Sequence, residues 1–243
     1  MDERAELDSF LAKWRRRWPE WRIAEAFIPA ARRDPALAWL CLRQELADAA
    51  WAGLDPRPGE AKLGWWVEEL HGWTQGARRH PLAHALPYAA APWRELAAAL
   101  PCLAEARGRA AGFDDARALL QPYAQAVANL SAALDPSAPA GGDAAAAIAT
   151  TVLAQRLVDG DPSAVPLAAR AALGADAAET ELRAHAARML LQDWPDAAPL
   201  ACADRIQLAM VRARLAAMAA GGDGQRPLPA WRSLGLAWRA ARG

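Results

Sequence analysis

The stretch from Trp21 to Trp51, WRIAEAFIPAARRDPALAWLCLRQELADAAW, limits most strongly what this chain can become. Its second half is apolar on nearly every side of a helix, yet it carries Gln44, Glu45 and Asp48. At about 100° per residue, Leu37, Cys41, Gln44 and Asp48 fall in one narrow arc, with Leu40 and Trp51 beside it and Glu45 a little to the other side. A helix that is apolar all round is a central one. Polar groups on it need partners, because each left unpaired costs about 1–3 kcal/mol. They either form a satisfied core network or line a cavity.

The surrounding sequence is that of an all-α protein. β-branched residues are scarce, Ala, Leu, Arg and Glu dominate, and no segment alternates apolar and polar residues for long. Proline and glycine mark the breaks. Helices are expected from Asp2 to Trp18, Trp21 to Phe27, Asp34 (as cap) to Trp51, Glu60 to Arg79, Pro92 onward, Pro101 to Ala111 and Asp114 (as cap) to Leu134. The last of these should kink or restart at Pro122. After the loop Asp135 to Gly142 come Asp143 (cap) to Asp159, Pro166 to Leu173, Asp176 to Asp193 and Asp196 to Ala219. Trp14, Trp18 and Trp21 should form a packed edge with Arg15 to Arg17 turned outward. Chain length, 243 residues, fits a single domain spanning 1–243. Residues 221–243 read as a tail that docks on it through Trp231, Leu234 and Trp238.

Net charge is zero, with 28 basic and 28 acidic residues, which argues against nucleic acid as a partner. Lys13 and Lys62 are the only lysines; the arginine bias is compositional. Cys41, Cys102 and Cys202 are far apart with no CxxC, so neither a disulfide framework nor a structural zinc site is expected, as suits a reducing cytosol. The acidic N-terminus is unlike a signal peptide, and the run from Ala144 to Gln155 is too short to span a bilayer. A cytoplasmic protein is expected, with peripheral membrane contact open to it. His80 and His84 stand four apart, but Pro81 lies between them and no glutamate completes a zinc motif.

A second helix repeats the oddity of the first. In AIATTVLAQRLVDGD, the residues Thr151, Gln155 and Asp159 share a face with Ile148 and Val152. Each helix thus carries a glutamine four residues before an aspartate: Gln44/Asp48 and Gln155/Asp159. They are bonded core residues, or the two walls of one cavity.

The order of landmarks resembles the squalene/phytoene synthase family, whose members condense two prenyl diphosphates head to head. The resemblance rests on AFIPAARRDPALAWL with Pro29 and Arg33, KLGWWVEELHGWTQGARRHPLAHAL, YAQAVANLSAAL at Tyr123, and AIATTVLAQRLVDGDPSAVPL ending in Pro166. It covers residues 20–220. It implies a single-domain helical bundle around a central cavity, flanked by Arg33, Gln44, Glu45, Asp48, Tyr123, Gln155, Arg156 and Asp159. The family's two aspartate-rich motifs are eroded here. The first falls on Ala47, Asp48 and Trp51, or one turn earlier on Gln44, Glu45 and Asp48. The second falls on Gln155 and Asp159, or on Leu157 and Asp161. An amide offers magnesium a neutral oxygen without charge. The segment RQELADA is similar to the branch that includes mitochondrial complex I assembly factors, which keep the fold without the prenyl-transfer reaction. The expectation is a non-catalytic member with no cofactor, which binds a prenyl or lipid-like ligand or assists a partner protein. The alternative is an active prenyltransferase with Glu45, Asp48, Asp159 and Asp161 holding magnesium and Arg33 or Arg156 pairing with diphosphate.

Overall fold

A computed structural model describes residues 3–87, 91–135, 138, 143–174 and 176–242. Every regular element among them is a helix, and none is long and apolar enough to cross a membrane. The α-helices are α1 (Glu3–Arg17), α2 (Trp21–Ala24), α3 (Ala30–Trp51), α4 (Arg57–Trp73), α5 (Trp93–Ala99), α6 (Pro101–Glu105), α7 (Phe113–Leu134), α8 (Ala144–Val158), α9 (Leu167–Leu173), α10 (Glu179–Gln192), α11 (Cys202–Ala219) and α12 (Ala230–Arg242). Short 3-10 turns lie at Glu25–Phe27, Pro81–Ala85 and Pro162–Ala164.

Two helices form the interior. α8 lies between α7 and α11, and α3 packs on α1, α4 and α6. Both are buried around most of their circumference, and the alanines of α8 let its neighbours approach closely. α5 bridges α4 and α7, while α12 lies on α11 and α2. Tryptophans tie the layers together through their one polar atom. Trp39 Nε1 donates to Ser131 Oγ (2.9 Å), joining α3 to α7, and Trp51 Nε1 donates to the Leu103 carbonyl (2.9 Å), joining α3 to α6. Trp21 Nε1 donates to Gln207 Oε1 (2.6 Å), joining α2 to α11.

Several element ends depart from the sequence expectation, each for a local reason. α3 starts at Ala30, with Pro35 inside it. Asp34 does not cap; it pairs with Arg4 at 2.6 Å. The carbonyl that Pro35 cannot serve belongs to exposed Ala31, where water reaches it. α4 stops at Trp73 rather than Arg79. Gly76, at φ 82°, turns the chain so that Ala77 N bonds back to the Gly72 carbonyl (3.0 Å), the left-handed closure that glycine favours. α7 opens at Phe113, and Asp115, not Asp114, reaches back to Gly112 N (3.1 Å). It runs on through Pro122 without a break. Asp143 does cap α8, accepting from Ala146 N at 2.9 Å. α11 begins at Cys202 instead of Asp196, because Pro199 disfavours helix for the residue before it. Of the expected loop Asp135 to Gly142, residues 136–137 and 139–142 lie outside the described residues.

The tail docks by a different face from the one expected. Ser233 and Ala237 are buried, whereas Trp231, Leu234 and Trp238 are 75%, 51% and 45% exposed. Ser233 and Ala237, with half-buried Leu236, face α11 and α2 instead.

Two buried carboxylates fasten distant segments. Glu20 and Arg214 form a two-pronged pair, Nε to Oε1 at 2.9 Å and Nη2 to Oε2 at 2.6 Å. Arg214 also donates to the Arg17 carbonyl (3.1 Å) and lies 4.2 Å over the Trp18 ring, while Leu228 N donates to Glu20 Oε1 (2.8 Å). One pair thus holds the end of α1, α11 and the approach to α12. Glu69 accepts four hydrogen bonds, from Trp73 Nε1, Arg79 N, Arg79 Nε and His80 N, at 2.7–2.8 Å. Burial alone would raise its pKa; these donors outweigh that and hold the carboxyl below its usual range. His80 sits with its ring 4.7 Å from both Phe10 and Trp66, and burial pushes its pKa down to about 4 against the pull of Glu45 and Glu69.

Arg214→Met leaves Glu20 charged and buried, so unfolding in urea should show a loss of about 3–5 kcal/mol. Acid should act in two stages. The neutral His80 ring stabilises the fold above its unfolded pKa of 6.5, and that contribution is lost as pH falls toward about 4. Glu69, with a depressed pKa, contributes above its unfolded value of 4.5 and fails below it. Urea titrations of His80→Gln should therefore show a flatter stability profile between these two His80 values and the same collapse below them.

Candidate functional site

A cavity of about 800 Å³ lies between α1, α3, α7, α8 and α11. Its lining includes buried Trp14, Leu40, Tyr123 and Val152, and it reaches the surface past Leu54, which is fully exposed, and Pro162. A volume of this size falls within the range of small-molecule sites. The first turn of α4 can lie close to the last turns of α3 because Gly59 has no side chain: a Cβ there would be 2.3 Å from the Ala49 carbonyl oxygen.

Gln44 and Asp48 from α3 meet Gln155 and Asp159 from α8 across this space. The two aspartates do not face each other empty-handed. Arg17, from the end of α1, stands between them. Its Nη1 donates to Asp48 Oδ1 and Oδ2 (2.9 and 3.1 Å), its Nε donates to Asp159 Oδ1 (3.0 Å), and Nη2 lies 2.5 Å from Asp159 Oδ2. Gln44 Nε2 adds a bond to Asp48 Oδ1 (2.9 Å), and Trp18 Nε1 lies 3.4 Å from Gln44 Oε1. Burial works against the Arg17 cation, but the two carboxylates outweigh it and raise its pKa. For Asp159 burial wins: its pKa is raised despite Arg17. The expectation that Arg15 to Arg17 all turn outward is therefore corrected at Arg17. Trp14, Trp18 and Trp21 are buried, and seating Trp18 and Trp21 around Pro19 rolls Arg17 inward.

The remaining cations of the lining are also engaged. Arg156 donates from Nε to Asp161 Oδ2 and from its two terminal nitrogens to the Ala106 and Arg107 carbonyls, all at 2.6 Å. Its guanidinium lies 4.7 Å over the Trp51 ring, and burial lowers its pKa against the opposing pull of Asp161. Arg107 donates to the carbonyls of Ala50 (2.7 Å) and Gly53 (2.5 Å), capping the negative end of α3. Arg43 pairs with buried Asp204 and lies 5.9 Å over Trp39. Tyr123 is fully enclosed, and burial pushes its phenol up to about 12.

Two expected site residues lie elsewhere. Arg33 holds the carbonyls of Glu25 (2.9 Å) and Ile28 (3.3 Å), bracing the entry to α3, and is not part of the lining. Glu45 turns to the opposite side of α3, between Lys13 (3.0 Å) and Lys62 (3.1 Å). Burial opposes its charge, but the two lysines prevail and its pKa is lowered. They are the only two lysines of the chain. Arg17, Arg43, Arg107 and Gln207 line the cavity without having been singled out from sequence. Arg107 falls within the helix expected from Pro101 to Ala111, which ends at Glu105 and leaves Arg107 in the loop that follows α6.

Magnesium bound through carboxylates and a diphosphate does not fit this donor set. Asp48 and Asp159 are neutralised by Arg17, Asp161 by Arg156, and Glu45 by the lysines on the far side of α3. Among the described residues no group of three or more His, Cys, Asp or Glu side chains could hold a metal ion. Neither a family model nor a curated protein matches the chain.

Arg17→Met would leave Asp48 and Asp159 to repel each other across the cavity. A loss of about 1–3 kcal/mol is expected at neutral pH, allowing for partial exposure. Without its cation Asp159 is raised further above its unfolded pKa, which costs stability at high pH and not below the unfolded value. The deficit in urea unfolding should therefore shrink as pH falls through the carboxylate range.

Proposed function

We propose that this chain is a divergent, non-catalytic protein of the squalene/phytoene synthase type that binds a neutral, prenyl or lipid-like molecule in its central cavity. The observation that carries this reading is the Arg17 guanidinium between Asp48 and Asp159. It stands between the two carboxylates that the family resemblance would assign to magnesium. Four arginines and three aspartates are among the lining residues, and every one of these charges has a partner within the protein. A diphosphate would have to break such pairs to be held. An uncharged molecule leaves them intact and gains contact with Trp14, Leu40 and Val152, at about 25 cal/mol per Å² of apolar surface removed from water. The unmatched polar capacity of the lining, the buried Gln207 Nε2, suits a single hydroxyl or carbonyl oxygen on the ligand.

The test compares farnesol and geranylgeraniol with their diphosphates, each with and without magnesium. At a hundredfold excess over Kd, the alcohols should raise the melting temperature by on the order of 5 °C. The diphosphates should give a smaller shift that magnesium does not enlarge, and no pyrophosphate. Pyrophosphate release together with a C30 or C40 product would overturn the proposal.

A further inference from the structure

The helix α12 meets the rest of the molecule along one edge. Ser233 and Ala237 are buried, and Leu236, Ala240 and Ala241 are half-buried. Trp231, Leu234 and Trp238 stand on the other side, at i, i+3 and i+7, and so form one stripe along the helix. Seven large apolar side chains are exposed among the described residues, and three of them are these. Both exposed tryptophans are on this one helix.

Charge is sorted along the same segment. Arg232, Arg239 and Arg242 are exposed beside the stripe, and no acidic residue occurs between Gly224 and Gly243 in a chain whose net charge is zero. Arg242 lies 4.3 Å over the Trp238 ring, so a cation sits at the border of the apolar stripe. The helix is held in this orientation. Arg205 of α11 donates to the carbonyls of Ala240 (2.8 Å) and Ala241 (3.4 Å), which fixes the C-terminal end, and buried Ser233 and Ala237 seat the rest with the indoles outward.

Tryptophan and leucine on one side of a helix, with arginines alone beside them, is the pattern of a helix lying in a lipid interface. Its indoles settle at the boundary of headgroups and acyl chains, and its guanidiniums meet anionic headgroups. At about 1.5 Å per residue, the 13 residues of α12 reach about 20 Å, short of the roughly 30 Å hydrocarbon layer. Such a helix lies in the surface plane. We propose that α12 docks this protein on an anionic membrane surface through Trp231, Leu234 and Trp238, with Arg232, Arg239 and Arg242 as the headgroup contacts. This does not depend on what the cavity holds.

Flotation of the full chain with phosphatidylcholine vesicles, with and without phosphatidylserine, tests it. The protein should float with the phosphatidylserine vesicles, much less with the neutral ones, and release as salt rises. Arg232→Gln with Arg239→Gln should weaken the partition by about thirtyfold at low salt. Trp231→Ser with Trp238→Ser should abolish it, with an unchanged melting curve; if that variant melts early, Leu234→Ser gives the same reading with one smaller change. Equal binding to both vesicles, flotation on neither, or full retention by the tryptophan variant would overturn the proposal. So would a lipid-free dimer that those substitutions dissociate, since a second copy would then cover the stripe.

Discussion

The Arg17 guanidinium is the interaction on which the centre of this molecule depends. It joins α1 to α3 and α8, and it does so at the point where two carboxylates from the two most buried helices come together. Without a cation there, Asp48 and Asp159 would repel in a partly dehydrated space, where Coulomb forces are weakly screened. The geometry is maintained from behind. Arg214 grips the Arg17 carbonyl, and Glu20, three residues on, is locked to the same guanidinium. The backbone that carries Arg17 is thus fixed by one arginine so that its side chain can be used by two aspartates.

Arginine fills every cationic position of the cavity lining, and the two lysines hold Glu45 on the other side of α3. The division follows from geometry. Three of the four cavity arginines serve several acceptors at once: two carboxylates for Arg17, one carboxylate and two carbonyls for Arg156, and two carbonyls for Arg107. A planar fork does this and an ammonium does not. Because arginine stays protonated throughout the physiological range, the positive side of the cavity is insensitive to pH.

The helical class and the two polar-on-apolar helices are legible in the sequence, because they depend on spacing within one element. Gln44/Asp48 and Gln155/Asp159 repeat one pattern, and the structure places all four around one cavity. Arg17 is not legible. It is one of three consecutive arginines, and which of them turns inward is decided by where Pro19 sends the chain and how Trp18 and Trp21 seat, both tertiary matters. Glu45 is misplaced by the same limitation: one position on the helix separates a cavity residue from one facing α4, and only packing sets the roll of α3. The tail shows the reverse error. Its tryptophans are the obvious core candidates by hydrophobicity, but the face that packs is the one with Ser233, Leu236, Ala237 and Ala240.

The sequence separations of the central pairs carry a consequence for synthesis. Arg17 and Asp159 are 142 positions apart, and Glu20 and Arg214 are 194 apart. A chain emerging from the ribosome makes its first helix early and cannot complete either pair until most of its length has been translated. During that interval Trp14, Trp18 and Trp21 lack the α11 surface that later covers Trp21, and the lone charge of Asp48 has no guanidinium locked in place. The cavity is thus among the last parts of the molecule to be assembled, and its arginine is set in place only after the C-terminal third arrives.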